Sequence, residues 1–235
     1  MTEKPFAEIL NEAFNQCCQL DASLGERLDA FADKVRSLNP RFAEAVDRLV
    51  MRLKESGAGA GAPEPGEHMP SFLLPDDQGH LVSLEQLLQK GPVAMAFHRG
   101  HWCPYCRINT NALAAAQKEA QARGGQIAAI MPERQQFAHE LRSESEAPFP
   151  ILLDIDNGYA LSLNLAIWVG EEMKRLIAEA GFDLPAYQGN EAWTLPIPAT
   201  FVVGTDGRVI ARFVDPDYRK RMAIEDMLDA LANAN

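Results

Sequence analysis

The apolar run Val93-Ala94-Met95-Ala96-Phe97 is followed closely by Cys103-Pro104-Tyr105-Cys106 and then directly by a helical pattern. A strand that delivers a CxxC pair to the start of a helix is the usual arrangement for dithiol–disulfide chemistry. The first helical turn leaves backbone N–H groups unpaired, and the aligned peptide dipoles favour negative charge there. A thiol reacts as its thiolate, and this position lowers the thiol pKa from its free value of about 8.5. A second cysteine one turn further on can capture the first as a disulfide. Such a junction is a poor place for inert cysteines, so the pair reads as chemical rather than structural.

With 235 residues, 47% of them apolar, the chain can bury a substantial core, exceeding a usual single domain but falling short of two. No uninterrupted apolar stretch approaches the roughly 20 residues of a bilayer-spanning helix. The polar, mixed-charge start Met1-Thr2-Glu3-Lys4-Pro5 is not followed by an apolar segment with a small-residue cleavage site. No signal peptide is therefore expected, and the chain reads as cytoplasmic, where CxxC means redox or metal work. A net charge of −11 argues against nucleic acid and anionic membrane as partners.

Three regions succeed one another. The segment 1–56 is helical by periodicity over residues 6–55, with apolar stripes Phe6/Leu10/Ala13/Phe14/Cys17, Leu24/Leu28/Phe31/Val35/Leu38 and Phe42/Val46/Leu49/Leu53. Ser23 with Glu26 has capping-box spacing, and Asn39-Pro40 offers an N-cap followed by proline at the first helical position. Three amphipathic helices follow, whose apolar faces must meet each other, the main domain or a second copy; a homodimer through them is one expectation. Residues 57–66, Gly-Ala-Gly-Ala-Gly-Ala-Pro-Glu-Pro-Gly, form a linker expected to run exposed. From residue 67 to 235 strands and helices alternate. Strands are predicted at 92–97, 126–130, 151–153, 200–203 and 209–213, the last two joined by the turn Thr205-Asp206-Gly207-Arg208. Helices are predicted at 103–122, 132–145, 156–165 and 219–232. That order predicts an α/β fold, a mixed central sheet flanked by helices, with an N-terminal helical extension.

Residues 67–232 resemble the thioredoxin fold, and within it the alkyl hydroperoxide reductase/thiol-specific antioxidant (AhpC/TSA, peroxiredoxin) superfamily. The resemblance rests on Pro70-Ser71-Phe72-Leu73-Leu74 with Asp77-Gln78-Gly79, on Phe97-His98-Arg99-Gly100-His101-Trp102-Cys103-Pro104-Tyr105-Cys106, and on Pro198-Ala199-Thr200-Phe201-Val202-Val203 with Asp206-Gly207. It is nearest to peroxiredoxin-like chains with an Arg-Gly-x-Trp-Cys-Pro-Tyr-Cys site. Peroxiredoxins typically carry Pro-x-x-x-Thr-x-x-Cys, which laid over this segment puts Cys106 at the peroxidatic position, Cys103 at the threonine and Arg99 at the proline. The family also sets an arginine just before the Thr-Phe strand, where this chain has Ile197-Pro198; a cis-proline facing the CxxC is the thioredoxin habit, so Pro198 resembles that residue. The site is a hybrid.

The resemblance implies a thiol-dependent peroxidase with hydroperoxide as substrate, no cofactor, and thioredoxin, or glutaredoxin with glutathione, as reductant. The alternative is a thiol–disulfide oxidoreductase with little peroxidase activity. Both routes end at a Cys103–Cys106 disulfide, and the order of attack stays open. Arg99, ahead of the helix, is the favoured cation for a thiolate or a peroxide oxygen; Arg107 and His101 are weaker candidates. Trp102 reads as packing for the loop, and Tyr105 as part of the dipeptide that tunes thiol acidity. His98, His101, Cys103 and Cys106 together suggest zinc, but ligands so crowded would struggle to converge tetrahedrally, so no metal is expected. Adjacent Cys17 and Cys18 point in different directions, one towards the helical core. Asp154/Asp156 and Glu171/Glu172 are explained by turns, caps or a solvated face. Residues 166–196, with Trp168, Tyr187 and Trp193, form an insertion that either covers the thiols or packs on the sheet.

Overall fold

The computed structural model describes residues 6–234. The three N-terminal helices form where the apolar stripes place them: α1 (Phe6–Gln19), α2 (Leu24–Leu38) and α3 (Pro40–Glu55). Ser23 and Glu26 make a reciprocal capping box at the start of α2. The Asn39 side chain accepts from the Phe42 N–H at the start of α3, with Pro40 in the first turn. The stripes are spent within the same chain. Phe14, Cys17, Leu28, Phe31, Val46 and Leu49 share one apolar cluster with Trp102, Tyr105, Cys106 and Ile177.

The second part begins with a short antiparallel pair, β1 (Leu73–Pro75) and β2 (Leu81–Ser83), closed by the Asp76–Gly79 turn. The capped single turn α4 (Leu84–Leu88) follows, then β3 (Val93–Phe97), α5 (Pro104–Ala122), β4 (Gln126–Met131), α6 (Gln135–Glu144) and β5 (Ile151–Leu153). A 3-10 turn (Ile155–Asn157) leads into α7 (Gly158–Ser162) and β6 (Ala166–Trp168). Next come α8 (Glu171–Glu179), α9 (Leu184–Gln188), β7 (Thr194–Pro196), β8 (Ala199–Val203), β9 (Val209–Val214) and α10 (Ile224–Ala232).

The central sheet has the order β5-β4-β3-β8-β9. β3 runs parallel to β4 with Phe97 opposite Ile130, and antiparallel to β8 with Phe97 opposite Ala199. β3 and β8 are buried along their whole length, as strands covered on both faces must be. One face packs Ala94, Ala96, Val202 and Leu231 with α5, α6 and α10; the other packs Met95, Phe97, Phe201 and Tyr159. This is a mixed sheet flanked by helices, as the alternation implies.

Three expectations change. The 57–66 segment does not run wholly exposed: Gly59 and Ala62 are buried, and Arg212 of β9 donates to the Ala62 and Pro63 carbonyls. Gly59 adopts φ +82 with Val214 and Ile197 so close that a Cβ would meet them at 2.9 and 3.2 Å, so this glycine permits a close approach as well as a bend. The closing helix starts at Ile224 rather than Arg219. Asp217 instead accepts from the Arg219 N–H and ion-pairs with its side chain, turning the backbone before α10 begins. The Ile197–Pro198 peptide is trans, as are all peptide bonds among the described residues.

Candidate active site

Cys103 is the N-cap of α5, Pro104 opens its first turn, and Cys106 lies within that turn. Both sulfurs are reduced and buried, 1% and 0% exposed. Their surroundings differ. The Cys106 sulfur accepts from the Arg99 backbone N–H at 3.3 Å and from Arg221 Nη2 at 3.4 Å, and the Cys103 thiol hydrogen-bonds to it. Burial by itself pushes Cys106 up, but the Cys103 thiol, Arg221 and the Arg99 amide together hold it well below the ordinary cysteine value. Cys103 moves well above that value, through burial first and then its interaction with Cys106. The hydrogen-bond donors around the pair therefore favour the thiolate on Cys106 over one on Cys103.

Arg221 went unnoticed in the sequence. It stands 115 residues after Cys106, inside a stretch that reads as the start of a helix, and no local pattern marks it. The fold delivers it by a chain of ion pairs from the N-terminal helices. Arg219 bridges Asp217 and Asp47 of α3, and Lys220 reaches Asp29 of α2 at 2.7 Å. Arg221 itself donates to the Tyr218 and Lys220 carbonyls. Replacing it by methionine is expected to slow alkylation of Cys106 at pH 7 roughly tenfold to hundredfold, because a hydrogen bond to a charged group is worth about 1.5–3 kcal/mol. Stopped-flow labelling with a thiolate-selective alkylator measures this; an unchanged rate would exclude Arg221 as the counter-ion.

Arg99 lies at the site as expected, with a role for its backbone as well as its side chain. Its guanidinium stacks over the Tyr218 ring at 3.8 Å and the Trp102 ring at 4.9 Å. Arg107 points elsewhere, over Phe14 and towards Glu144, and His101 also reaches Glu144. His98 is fully buried, its Nε2 accepting from Asn109 Nδ2 at 2.9 Å and its Nδ1 facing Thr110 Oγ1 at 3.4 Å. Burial pushes it down to about 4, so it is neutral. With both ring nitrogens engaged, it does not join the cysteines. Among the described residues no group of three or more potential metal ligands converges. Pro198 is buried directly ahead of β8, and none of the Cys103 and Cys106 interactions above runs through it.

A second unannounced residue is Glu133, which follows β4 and is fully buried. One carboxyl oxygen accepts from the His101 N–H at 2.8 Å; the other has no partner among the described residues. Burial pushes its pKa up to about 8. Gly100, at φ +144, brings the backbone against this carboxyl: a Cβ there would sit 2.3 Å from Glu133 Oε1.

The insertion covers the thiols. Ile177, Ala180 and Phe182 from and beyond α8 meet Leu10, Phe31, Val35 and Phe42 of the N-terminal helices over Arg99, Trp102, Cys103 and Tyr218, leaving an apolar cavity of about 50 Å³. Phe182 packs on Trp102 at 5.6 Å, and Phe31 meets Tyr105 edge-on at 5.0 Å. Trp193 is buried, Tyr187 half-buried and Trp168 49% exposed. Cys17 faces the helical core, while Cys18 is half-buried and accepts from Asn111.

The AhpC/TSA family model matches residues 65–212, leaving α1–α3 outside it. The thiol-disulfide oxidoreductase ResA of Bacillus subtilis (strain 168) is 25% identical over 154 residues, 65% of this chain and 69% of that protein. Peroxidoxin BcpB from Mycobacterium tuberculosis superposes with a TM-score of 0.57 at 19% identity, covering 74% of this chain and 99% of that one. A cysteine-to-serine mutant of peroxiredoxin 6 from Arenicola marina gives 0.55 at 15%, covering 72% and 71%. The bacterioferritin comigratory protein of Xanthomonas campestris gives 0.52 at 14%, covering 70% and 92%. These structures share the fold, a thioredoxin-type sheet.

Proposed function

This chain belongs to the AhpC/TSA family, and from that premise we propose that it reduces hydroperoxides through a Cys103–Cys106 dithiol cycling via an internal disulfide. The observation that carries this reading is the convergence of the Arg99 amide and the Arg221 guanidinium on the Cys106 sulfur, at 3.3 and 3.4 Å, which favours its thiolate. Only a thiolate is a competent nucleophile towards peroxide.

In the cycle, the Cys106 thiolate attacks the terminal peroxide oxygen, an S–O bond forms, the O–O bond breaks, and the organic oxygen departs as alkoxide or, once protonated, alcohol. The Cys106 sulfenic acid then condenses with the Cys103 thiol, which already touches it, releasing water and forming the disulfide. An external dithiol, thioredoxin or glutaredoxin with glutathione, restores both thiols by exchange. A reducing compartment such as the cytoplasm keeps the pair in the dithiol form that the cycle starts from. Cys103, Cys106, Arg99 and Arg221 do the chemistry in this reading.

A second reading has its own observation. Cys103, not Cys106, lines the cavity, which suits attack by Cys103 on a disulfide, with Cys106 resolving. Stopped-flow mixing of the reduced protein with hydrogen peroxide tests the first reading. Oxidation at least about a hundredfold faster than free cysteine is expected, the scale that oriented donors supply. A rate equal to that of free cysteine would leave disulfide exchange as the function.

A further inference from the structure

We propose that Asp47 of α3 is a positioning residue for the Cys106 thiolate, acting through Arg219 and Arg221, so that the helical extension is part of the thiol machinery. The inference rests on the Cys106 thiolate of the reading above; it concerns how that charge is held, not what it attacks.

Cys106 falls within the family match at residues 65–212, whereas Arg221 and all of α1–α3 fall outside it. The turn 217–221 joins the two. Tyr218 and Arg221 face the thiols. The Tyr218 ring lies under the Arg99 guanidinium and meets Tyr105 edge-on at 5.4 Å, and Arg221 Nη2 donates to the Cys106 sulfur. Arg219 and Lys220 face the extension. Arg219 Nη1 meets Asp47 Oδ1 at 2.8 Å, and Lys220 Nζ meets Asp29 Oδ1 at 2.7 Å.

The other bonds of Arg221 do not place it against α5. Its Nη1 donates to the Tyr218 and Lys220 carbonyls, which belong to the same turn, so they fix the side chain on the turn and not the turn on the helix. Asp217 likewise grips Arg219 from within the turn, at 2.8 and 2.9 Å. The Tyr218 packing and the ion pairs to the extension are what tie the turn to its surroundings, and those pairs differ in worth. Lys54–Asp215 and Lys220–Asp29 use lysines that are 55% and 48% exposed, a setting in which a pair contributes little. Arg219 is 17% exposed and clasped on both sides, by Asp217 and by Asp47. A planar guanidinium held in this way loses little freedom for each bond it makes.

Both Asp47 oxygens meet a guanidinium, Oδ1 that of Arg219 and Oδ2 that of Arg36 of α2 at 2.7 Å. An asparagine there keeps one acceptor but must turn its NH2 group towards one of the two cations. The turn then loses its hold on α3, and hydrogen bonds weaken steeply when donor and acceptor are misaligned. The ionisable groups around Cys106 are Cys103, Arg99, His98, Glu133 and Arg221; those around Asp47 are Arg36, Arg48 and Arg219. The stretch from Arg219 to Arg221 links the two sets.

Such coupling is reciprocal. The extension favours the thiolate, and the thiolate tightens the extension by the same factor. In the disulfide Cys106 carries no charge, so Arg221 loses its anion, a costly state for a buried cation. The extension is then held less firmly. Phe31, Val35 and Phe42 of that extension lie over Cys103, so oxidation loosens the cover that a reductant must pass.

Ultraviolet thiolate absorbance of the reduced full chain, followed against pH and referred to the disulfide form, reads the Cys106 midpoint directly. Asp47→Asn should raise that midpoint by about half a pH unit, equivalent to about threefold less thiolate at pH values below it. Asp47→Glu should restore most of the loss. Arg219→Gln breaks the same link from its other end and should give the same shift, with near-UV circular dichroism confirming that each variant is folded. Arg36→Gln removes the other partner of Asp47 and should leave the midpoint in place. In an Arg221→Met background, Asp47→Asn should cause no further shift. Amides of α3 should exchange about threefold faster in the disulfide form than in the dithiol form, the same coupling read from the other end. Asp47→Asn should remove that difference. An unchanged midpoint in Asp47→Asn and Arg219→Gln overturns the proposal, as does a shift that persists without Arg221 or is matched by Arg36→Gln. Exchange in α3 that ignores the redox state overturns it too. None of these readouts involves peroxide, so a protein without peroxidase activity would fail the reading above and leave this test intact.

Discussion

Cys106→Ser is expected to lower the single-turnover rate with hydrogen peroxide by about a thousandfold or more, the scale seen when a nucleophile is removed, whereas Cys103→Ser keeps a first turnover and halts at a sulfenic acid. The asymmetry follows from where the donors point. The Arg99 amide and Arg221 converge on the Cys106 sulfur, not on Cys103. Serine at 106 has no thiolate to offer, while serine at 103 still donates a hydrogen bond to Cys106. What it cannot do is condense. Rapid-quench trapping with a sulfenic-acid probe and intact-mass analysis distinguishes the two: the adduct accumulates on Cys106 in Cys103→Ser and is absent from Cys106→Ser. The reverse pattern, a fast first step surviving only in Cys106→Ser, would make Cys103 the nucleophile and favour the exchange reading. Cys106→Ser also strips Arg221 of its counter-ion, leaving a buried cation unmatched, so some loss of stability should accompany the loss of rate.

Local chemistry announced itself in the sequence wherever the partners are near in the chain. Ser23 with Glu26, Asn39 with Pro40, and the strand leading to Cys103 and Cys106 are all readable within a few residues, because caps and turns are short-range devices. The β8–β9 hairpin was equally plain from its Asp206-Gly207 turn. What stayed hidden is long-range. Arg221 reaches Cys106 across the fold, through a loop that Asp29 and Asp47 of the N-terminal helices fix by ion pairs. Glu133 is one acid among many in a chain with 33 acidic residues, and only its burial against Gly100 sets it apart. The glycine-alanine stretch carries no side-chain pattern to show that Gly59 and Ala62 pack inward. The helical extension and the 166–196 insertion each read as ambiguous alone; their apolar faces gain meaning only where both close over Arg99 and Cys103.

Glu133→Gln is expected to stabilise the reduced protein increasingly as pH rises, by about 3–5 kcal/mol relative to wild type at pH 8. In the native state burial raises the Glu133 pKa from 4.5 to about 8. Between those values the folded chain holds a proton that the unfolded chain has lost, so stability falls with rising pH through that window and levels off above it. One proton held in this way changes stability by about 1.4 kcal/mol for every pH unit crossed. The contribution is therefore fully present below pH 4.5 and lost as pH rises through 8. Glutamine has no proton to lose, and its amide oxygen can still accept from the His101 N–H. His98 and Cys106 act in the opposite direction: each has a lowered folded pKa, so each loses its stabilising contribution as pH falls. A wild-type pH profile alone would thus mix opposing slopes, and the difference between the two proteins isolates Glu133. Urea unfolding under reducing conditions at pH 5 and pH 8 measures it, and parallel profiles would show that Glu133 is ionised throughout. The same proton bears on reactivity. Above pH 8 an ionised Glu133 adds a repelling negative charge beside the Cys106 thiolate, so the wild-type thiol should lose part of its acidity in a range where Glu133→Gln does not.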